Sequence, residues 1–265
     1  MPTDRLRLAF VGSGIMGGVI VRRLVDAGSV KAEDIVCSDT DPAKPRALQQ
    51  DLGVSPASSN AGAVRGASQV WVCVPPPDVV PVLAEVASAL DADALVVSVA
   101  AGVSLEAMAA ALPDGIGHCR VMPNTPSLVG RGFNGVCYGA ISEEQRAEVE
   151  RLLTALGDFV ELPEDQFNAF CALCAVGPTY ICPVMDALAQ AAASQGLDAQ
   201  LAQRAAAAVV AGSGLLAAET DRSPDDLKDM ISLQTLDEPQ ARRLFTDAFG
   251  AALARLDALQ AKLGA

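Results

Sequence analysis

Residues 6–39 constrain this chain more than any other part of it. They open with Leu6-Arg7-Leu8-Ala9-Phe10-Val11, an apolar run that reads as a buried parallel strand. Gly12-Ser13-Gly14-Ile15-Met16-Gly17 follows, a G-x-G-x-x-G turn, and then a helical pattern to about Ala27 that Gly28 can stop. A second run, Ile35-Val36-Cys37-Ser38, ends at Asp39. Strand, glycine turn, helix, strand and acid in this order form the fingerprint of a dinucleotide site. Gly12 permits the tight turn, Gly14 lets backbone approach a pyrophosphate, and Gly17 lets the helix pack on the strand. The phosphates belong at the helix N-terminus, where free N–H groups and the helix dipole favour negative charge. Ser13, Ile15 and Met16 complete the cofactor-binding turn. Asp39 can accept hydrogen bonds from the adenosine ribose, and its charge, with Asp41 beside it, repels a 2′-phosphate. NADH is therefore expected ahead of NADPH, with Lys44 and Arg46 close enough to offset the preference.

A chain of 265 residues, half of it apolar, has room for two domains. The net charge of −13 argues against nucleic acid or an anionic membrane surface as partner. No apolar run reads as a membrane span, and the first apolar run is the strand itself rather than a signal peptide, so a cytoplasmic location is expected. The seven cysteines are then expected to be reduced. Cys171 and Cys174 form a C-x-x-C, but there is no second pair and His118 is the only histidine, so no metal is expected and packed thiols are the better reading. His118, inside a strand pattern with no carboxylate to place beside it, reads as structural.

Beyond Asp39 the first part of the chain alternates strand and helix patterns. Strands are expected near Val54 and at 70–74, 94–99, 118–122, 136–140 and 159–162. Helices are expected at 78–90, from Ser104 to Ala111, and from the Ser142/Gln145 capping box to Leu156 with Gly157 as its stop. This predicts an α/β fold, a Rossmann-type doubly wound sheet over residues 1–162. Ligands of such sheets sit outside the carboxyl ends of the strands. That selects one rim: the glycine turn, Val74-Pro75-Pro76-Pro77, Ala100-Ala101-Gly102 and Pro123-Asn124-Thr125-Pro126.

From Pro163 alanine dominates and no strand pattern remains. Helices are expected at 165–176, 178–195, 199–218, 224–231 and 239–263, with a break at Gly177-Pro178 and a capping box at Ser223/Asp226. Stretches such as 205–211 are too apolar for a helix with one solvated face. A C-terminal all-α domain, 163–265, is expected to bury them in a dimer interface.

These motifs resemble the pyrroline-5-carboxylate reductases, over nearly the whole chain. The most specific segment is Val121-Met122-Pro123-Asn124-Thr125-Pro126, which looks like that family's MPNTP segment. Ser98-Val99-Ala100-Ala101-Gly102 matches its strand-end turn, Asn60 falls at a cofactor-contacting asparagine, and Val72-Cys73-Val74-Pro75-Pro76 resembles its V-K-P segment with Pro75 in place of lysine. The resemblance implies an NAD(P)H-dependent reductase of a C=N bond and a homodimer, or a larger ring of dimers, through the helical domain.

Two departures fall on the substrate half. The family's S-G-S-G-P-A-Y is here Cys174-Ala175-Val176-Gly177-Pro178-Thr179-Tyr180, without the serines. Its S-P-G-G-T-T loop is replaced by the shorter Ser232-Leu233-Gln234-Thr235-Leu236-Asp237, which removes backbone donors that a carboxylate needs in place of water. The expected substrate is a related or bulkier cyclic imine, contacted by Asn124, Cys174, Val176, Gly177, Pro178, Thr179 and Gln234. Thr179, Ser232 and Thr235 are the candidate catalytic hydroxyls, while Tyr180 reads as a packed aromatic. The alternatives are a genuine pyrroline-5-carboxylate reductase and an inactive dinucleotide-binding paralogue. A β-hydroxyacid dehydrogenase built on Lys228 ranks last, because Lys228 lies in a charged helix turn.

Overall fold

The computed structural model describes residues 6–263. They group into two compact units, one running to Ala175 and resumed from Ala252, the other Val176–Ala251. The division drawn from sequence at 162/163 follows the last strand, whereas contacts keep the next thirteen residues and the end of the last helix with the sheet.

The first unit is an eight-stranded sheet, ordered β3-β2-β1-β4-β5-β6-β7-β8. Its strands are β1 (Leu8–Val11), β2 (Ile35–Ser38), β3 (Ser55–Pro56), β4 (Gln69–Val72), β5 (Leu95–Ser98), β6 (Gly117–Met122), β7 (Gly132–Tyr138) and β8 (Gly157–Glu161). All pairs are parallel except β6–β7. The order reverses at β1, with β2 on one side and β4 on the other. Such a switch point opens a crevice at the strand ends. The central strands are buried on both faces. Leu8 and Phe10 pack on one side with Trp71, Ile20 and Leu95, and Ala9 and Val11 on the other with Val70, Leu83 and Val96. Phe10 and Trp71 stack at 5.8 Å between ring centroids.

The helices of this unit include α1 (Ile15–Asp26), α2 (Ala43–Leu52), α3 (Asn60–Val64), α4 (Pro76–Val86), α5 (Leu105–Ala111) and α6 (Glu143–Leu156), of which α1, α4, α5 and α6 follow the expected sequence signals. Ser59, Ser104 and Ser142 cap α3, α5 and α6, the last through the anticipated capping box. Several boundaries move. Helix α4 starts at Pro76, two residues before the expected Asp78, because proline is tolerated in a first turn that lacks N–H partners anyway. Strand β7 starts at Gly132, four residues earlier than expected, where glycines hide the strand pattern. The single helix expected at 165–176 is a short 3-10 turn Glu164–Gln166, α7 (Phe167–Phe170) and a π-helical segment Cys171–Ala175.

The second unit holds α8 (Pro178–Ser194), α9 (Ala199–Glu219), α10 (Pro224–Asp229) and most of α11 (Glu238–Leu263). Its buried contact is small: Ala189 of α8 against Ala202 and Ala206 of α9. Ile181, Leu188, Leu201, Val209 and Leu215 stay 40–60% exposed. The sequence reading found no membrane span, yet two helical stretches, Glu164–Ser194 and Ala199–Glu219, are long and apolar enough to cross one by length and composition. Residues 167–184 carry no charge, and alanine hides how apolar the helices are in sum.

Candidate active site

The rim predicted from sequence exists. β1, β4, β5 and β6 are neighbours in that order, so the turns that follow them stand side by side at their carboxyl ends. Gly12 has φ +97°, which only glycine takes without strain, and a Cβ there would lie 2.6 Å from the Cys73 carbonyl oxygen after β4. The glycine turn therefore closes directly onto the β1/β4 switch point. A Cβ on Gly17 would overlap the Gly12 carbonyl oxygen, the close helix–strand approach expected of the third glycine. Gly14 is different: nothing lies within 4 Å of its would-be Cβ.

Gly14 is also the N-cap of α1 and supplies no side-chain cap. Three other helices of this unit spend a serine on that task. The first-turn N–H groups of α1 face an open rim beside Ser13, Ile15 and Met16, with Ile15 81% exposed. A cradle without side chains, an uncapped twelve-residue helix and an open approach fit a pyrophosphate. A cavity of about 1060 Å³ lies at the opposite ends of the strands, around Leu6, Gln69, Gly117 and Glu148, and takes no part in this rim.

Asp39 stands where the ribose acid was expected, and its carboxylate is already engaged. Oδ2 accepts the Ser13 backbone N–H at 2.8 Å, while Oδ1 accepts from the Asp41 N–H at 2.9 Å and Lys44 Nζ at 3.1 Å. Its side chain is 7% exposed. Burial pushes its carboxyl up, but the two backbone N–H groups and the Lys44 ammonium outweigh that and hold it below the ordinary carboxylate range. Asn60 is held at both ends, its Oδ1 accepting from Ser38 Oγ at 2.9 Å and its Nδ2 donating to Glu85 at 3.0 Å.

Val74 and Pro75 lead out of β4 into α4, whose first residue is Pro76. Ala100 donates its N–H to Ser98 Oγ at 3.3 Å. Gly102, at φ +75°, lies against Leu259 of α11. Asn124 follows β6 and is 9% exposed, with both ends of its amide bonded within the protein. Val74, Ala100 and Asn124 thus follow the carboxyl ends of β4, β5 and β6, which are neighbours in the sheet.

Of the expected substrate residues, Cys174 lies in the π-helical segment, and Val176, Gly177, Pro178 and Thr179 lead into and begin α8. Thr179 donates its hydroxyl to the Val176 carbonyl at 2.7 Å. Ser232 and Thr235 are exposed between α10 and α11. Gln234 turns its amide back to the end of α10, within 3.2 Å of the Ile231 carbonyl. The thiols are all free, and burial raises those of Cys171, to about 11, and Cys174. His118 is buried in β6 with Nδ1 3.2 Å from the Ile116 carbonyl, away from the rim.

Sequence reasoning missed Arg120. It is 1% exposed in β6 and pairs with Glu164 at 2.7 Å. Its guanidinium lies 4.4 Å over the Phe167 ring, and its Nε and Nη2 have no hydrogen-bond partner. The same Glu164 oxygen accepts the Leu105 N–H at 2.7 Å. The available signal was a charged residue in the middle of a buried strand pattern.

A doubly wound sheet that presents a glycine turn and an uncapped helix at its switch point, followed by a helical unit with only a small core, defines a two-domain NAD(P)-dependent oxidoreductase. Residues 7–102 match the family described as NADP oxidoreductase, coenzyme F420-dependent, and residues 164–259 match pyrroline-5-carboxylate reductase dimerisation. The pyrroline-5-carboxylate reductase of Methanosarcina acetivorans is 32% identical over 92% of this chain and 94% of its own length. That of Escherichia coli K12 is 33% identical over 85% and 84%. Among solved structures, the Coxiella burnetii pyrroline-5-carboxylate reductase is 28% identical, with a TM-score of 0.81 over 97% of this chain and 99% of that one. The NADP-bound Plasmodium falciparum enzyme, 21% identical, shares the fold with a TM-score of 0.87 over 97% and 99%. This chain belongs to the pyrroline-5-carboxylate reductase family and is an NAD(P)H-dependent oxidoreductase of the class acting on CH–NH groups.

Proposed function

We propose that this chain reduces pyrroline-5-carboxylate at its C=N bond. The observation that carries the reading is the pairing of an intact dinucleotide rim with a helical region that matches the family's dimerisation region. The substrate comes from the names of relatives at 32–33% identity.

Reduced nicotinamide supplies the hydride when bound. The chain's residues bind, orient and exclude water, and alignment accounts for most of what such a site must do. The Gly12–Gly17 turn and the free N–H groups of α1 hold the pyrophosphate, and the turns at Val74–Pro76 and Ala100–Gly102 shape the rim beyond it. An imine accepts hydride most readily when its nitrogen is protonated. Ser232 and Thr235 are exposed hydroxyls that can serve that proton, whereas the Thr179 hydroxyl already serves the Val176 carbonyl.

The cofactor preference is for NADH. Asp39 remains ionised and places negative charge at the end of β2, against a 2′-phosphate. Lys44, held on Asp39, limits the discrimination. The assembly is a homodimer, or a ring of dimers, that covers the exposed apolar residues of α8 and α9. Seven unpaired thiols fit a cytoplasmic location.

One observation favours a second reading, in which the imine is a bulkier relative. Between α10 and α11 the chain carries Leu233 and Leu236, 79% and 75% exposed, and no glycine. A cofactor-binding paralogue without turnover is the outcome if no imine reacts.

The test is nicotinamide absorbance with purified protein, NADH or NADPH, and pyrroline-5-carboxylate. Rapid oxidation supports the first reading. No oxidation, with cofactor binding confirmed in the same sample, overturns it and moves the search to other cyclic imines.

A further inference from the structure

Asn124 sits at the carboxyl end of β6, on the rim, where direct contact with cofactor and substrate was expected. One donor and one acceptor position of its amide are engaged within the protein. Oδ1 accepts the Phe133 N–H at 3.3 Å, and Nδ2 donates to the Cys174 carbonyl at 3.3 Å. The surroundings are full: a Cβ on Gly132 would lie 3.1 Å from Asn124 Oδ1 and overlap Ser127 Oγ.

The Cys174 carbonyl has a reason to need that donor. In an α-helix it would accept the N–H of the residue four places on. That residue is Pro178, which has none. The next N–H, of Thr179, goes to the Val176 carbonyl at 2.8 Å. The helix responds with a π-helical segment over Cys171–Ala175, a distortion frequent at functional sites. The Cys174 carbonyl takes a hydrogen from the Asn124 amide instead. Ala175, the next residue, is where the sheet-bearing unit ends and the chain passes into the helical unit.

We infer that Asn124 is a positioning residue for imine reduction: its amide replaces the N–H that Pro178 lacks and fixes the point at which the chain leaves the sheet toward Val176–Thr179. It acts through the Cys174 carbonyl, not by touching the dinucleotide. The inference rests on the reading of this chain as an imine reductase.

The test joins two single variants with one compensating pair. Asn124→Asp keeps the acceptor for Phe133 and loses the donor to Cys174. Asn124→Ala loses both, and Asn124→Ala with Pro178→Ala gives the Cys174 carbonyl a backbone N–H again. Expected are a fall in kcat of about 10- to 100-fold for both single variants, as for a misplaced reacting geometry, with dinucleotide Kd within about twofold of wild type by the inference itself. Recovery of about tenfold in the pair is expected on restoring one buried hydrogen bond. Hydrogen exchange of residues 171–182 should quicken in the single variants and slow again in the pair. A parallel rise in dinucleotide Kd would assign Asn124 to direct contact, and additive losses in the pair would remove the link to Pro178. Either outcome overturns the inference. If wild type leaves pyrroline-5-carboxylate unreduced, the activity reading fails on its own, and exchange with dinucleotide affinity still decides whether Asn124 holds this segment.

Discussion

Asp39 Oδ2 accepts the backbone N–H of Ser13 at 2.8 Å, so the acid that ends β2 pins the middle of the glycine turn that ends β1. One carboxylate thus fixes the glycine turn and, in the proposed cofactor pose, sets the charge beside the ribose. Replacement separates the two effects. Asp39→Ser removes the charge and should move the ratio of kcat/KM for NADPH over NADH upward by about tenfold, the size of one charged hydrogen bond. Asp39→Ala should in addition weaken both dinucleotides, because the Ser13 N–H loses its partner. An unchanged cofactor ratio in Asp39→Ser would show that Asp39 does not discriminate.

Lys44 is the counterweight. Its ammonium lies 3.1 Å from Asp39 Oδ1, with the side chain 46% exposed. A 2′-phosphate can draw it away, while NADH leaves it in place. Lys44→Ala should raise KM for NADPH by about tenfold and leave KM for NADH within about twofold. An exposed ammonium is screened, so the NADPH difference should shrink between low and high salt. Equal effects on both cofactors would remove Lys44 from the discrimination.

The Asp39 partners also leave a mark on stability. The folded carboxyl titrates below its ordinary value, so its contribution is fully present above the unfolded pKa, about 3.9. That contribution is lost as pH falls through the lower folded value. The Tm gap between wild type and Asp39→Asn should be flat from about pH 5 upward and close below about pH 4, within the acid range where such groups titrate. A gap that widens on acidification would mean the carboxyl is raised, not lowered.

The glycines separate folding from binding. Gly17→Ala drives a Cβ into the Gly12 carbonyl oxygen and should lower Tm sharply. Gly14→Ala meets nothing within 4 Å, at a φ of −71° that alanine accepts. Its Tm should stay at wild type while dinucleotide Kd rises by at least about tenfold, because the methyl stands where phosphate must approach. Scanning calorimetry with and without NADH reads both effects, and normal cofactor stabilisation of Gly14→Ala would sink the placement.

The sheet was legible because its signals are local and redundant. Gly12, Gly14 and Gly17 fix the first turn, Ser104 and the Ser142/Gln145 box fix two helix starts, and runs such as Val70–Val72 can only be buried strands. The rim followed from one topological rule. What sequence could not give was the partner of each rim group. Asp39 is legible as an acceptor for a ribose, but not that the fold brings the Ser13 N–H to it. Asn124 is expected at the ligand, and the fold adds partners that sequence does not show, the Phe133 N–H and the Cys174 carbonyl. The π-helical segment was invisible because periodicity does not distinguish it from α-helix over five residues. In the helical unit the apolar surplus was legible, but alanine-rich helices give no signal for which face meets which.

Arg120 and Glu164 form an unequal pair, and the inequality predicts which substitution hurts. Arg120 is 1% exposed with two donors unpartnered, so its burial is already poorly compensated. Glu164 is 31% exposed and serves two donors, Arg120 and the Leu105 N–H at the start of α5. Removing the acid leaves a buried guanidinium with no counter-charge and the Leu105 N–H without its acceptor. Glu164→Ala should therefore destabilise by about 3 kcal/mol, a Tm loss of about 6–10 °C for a chain of this size. Removing the base instead takes away two orphan donors and leaves the Leu105 contact intact. Arg120→Met fills much of the same volume and forfeits mainly the stacking on Phe167, about 1 kcal/mol or less. Glu164→Gln, which keeps an acceptor, should fall between them. The order of the three melting temperatures is the test, and Arg120→Met melting below Glu164→Ala would mean that the guanidinium's unpartnered nitrogens are satisfied in solution.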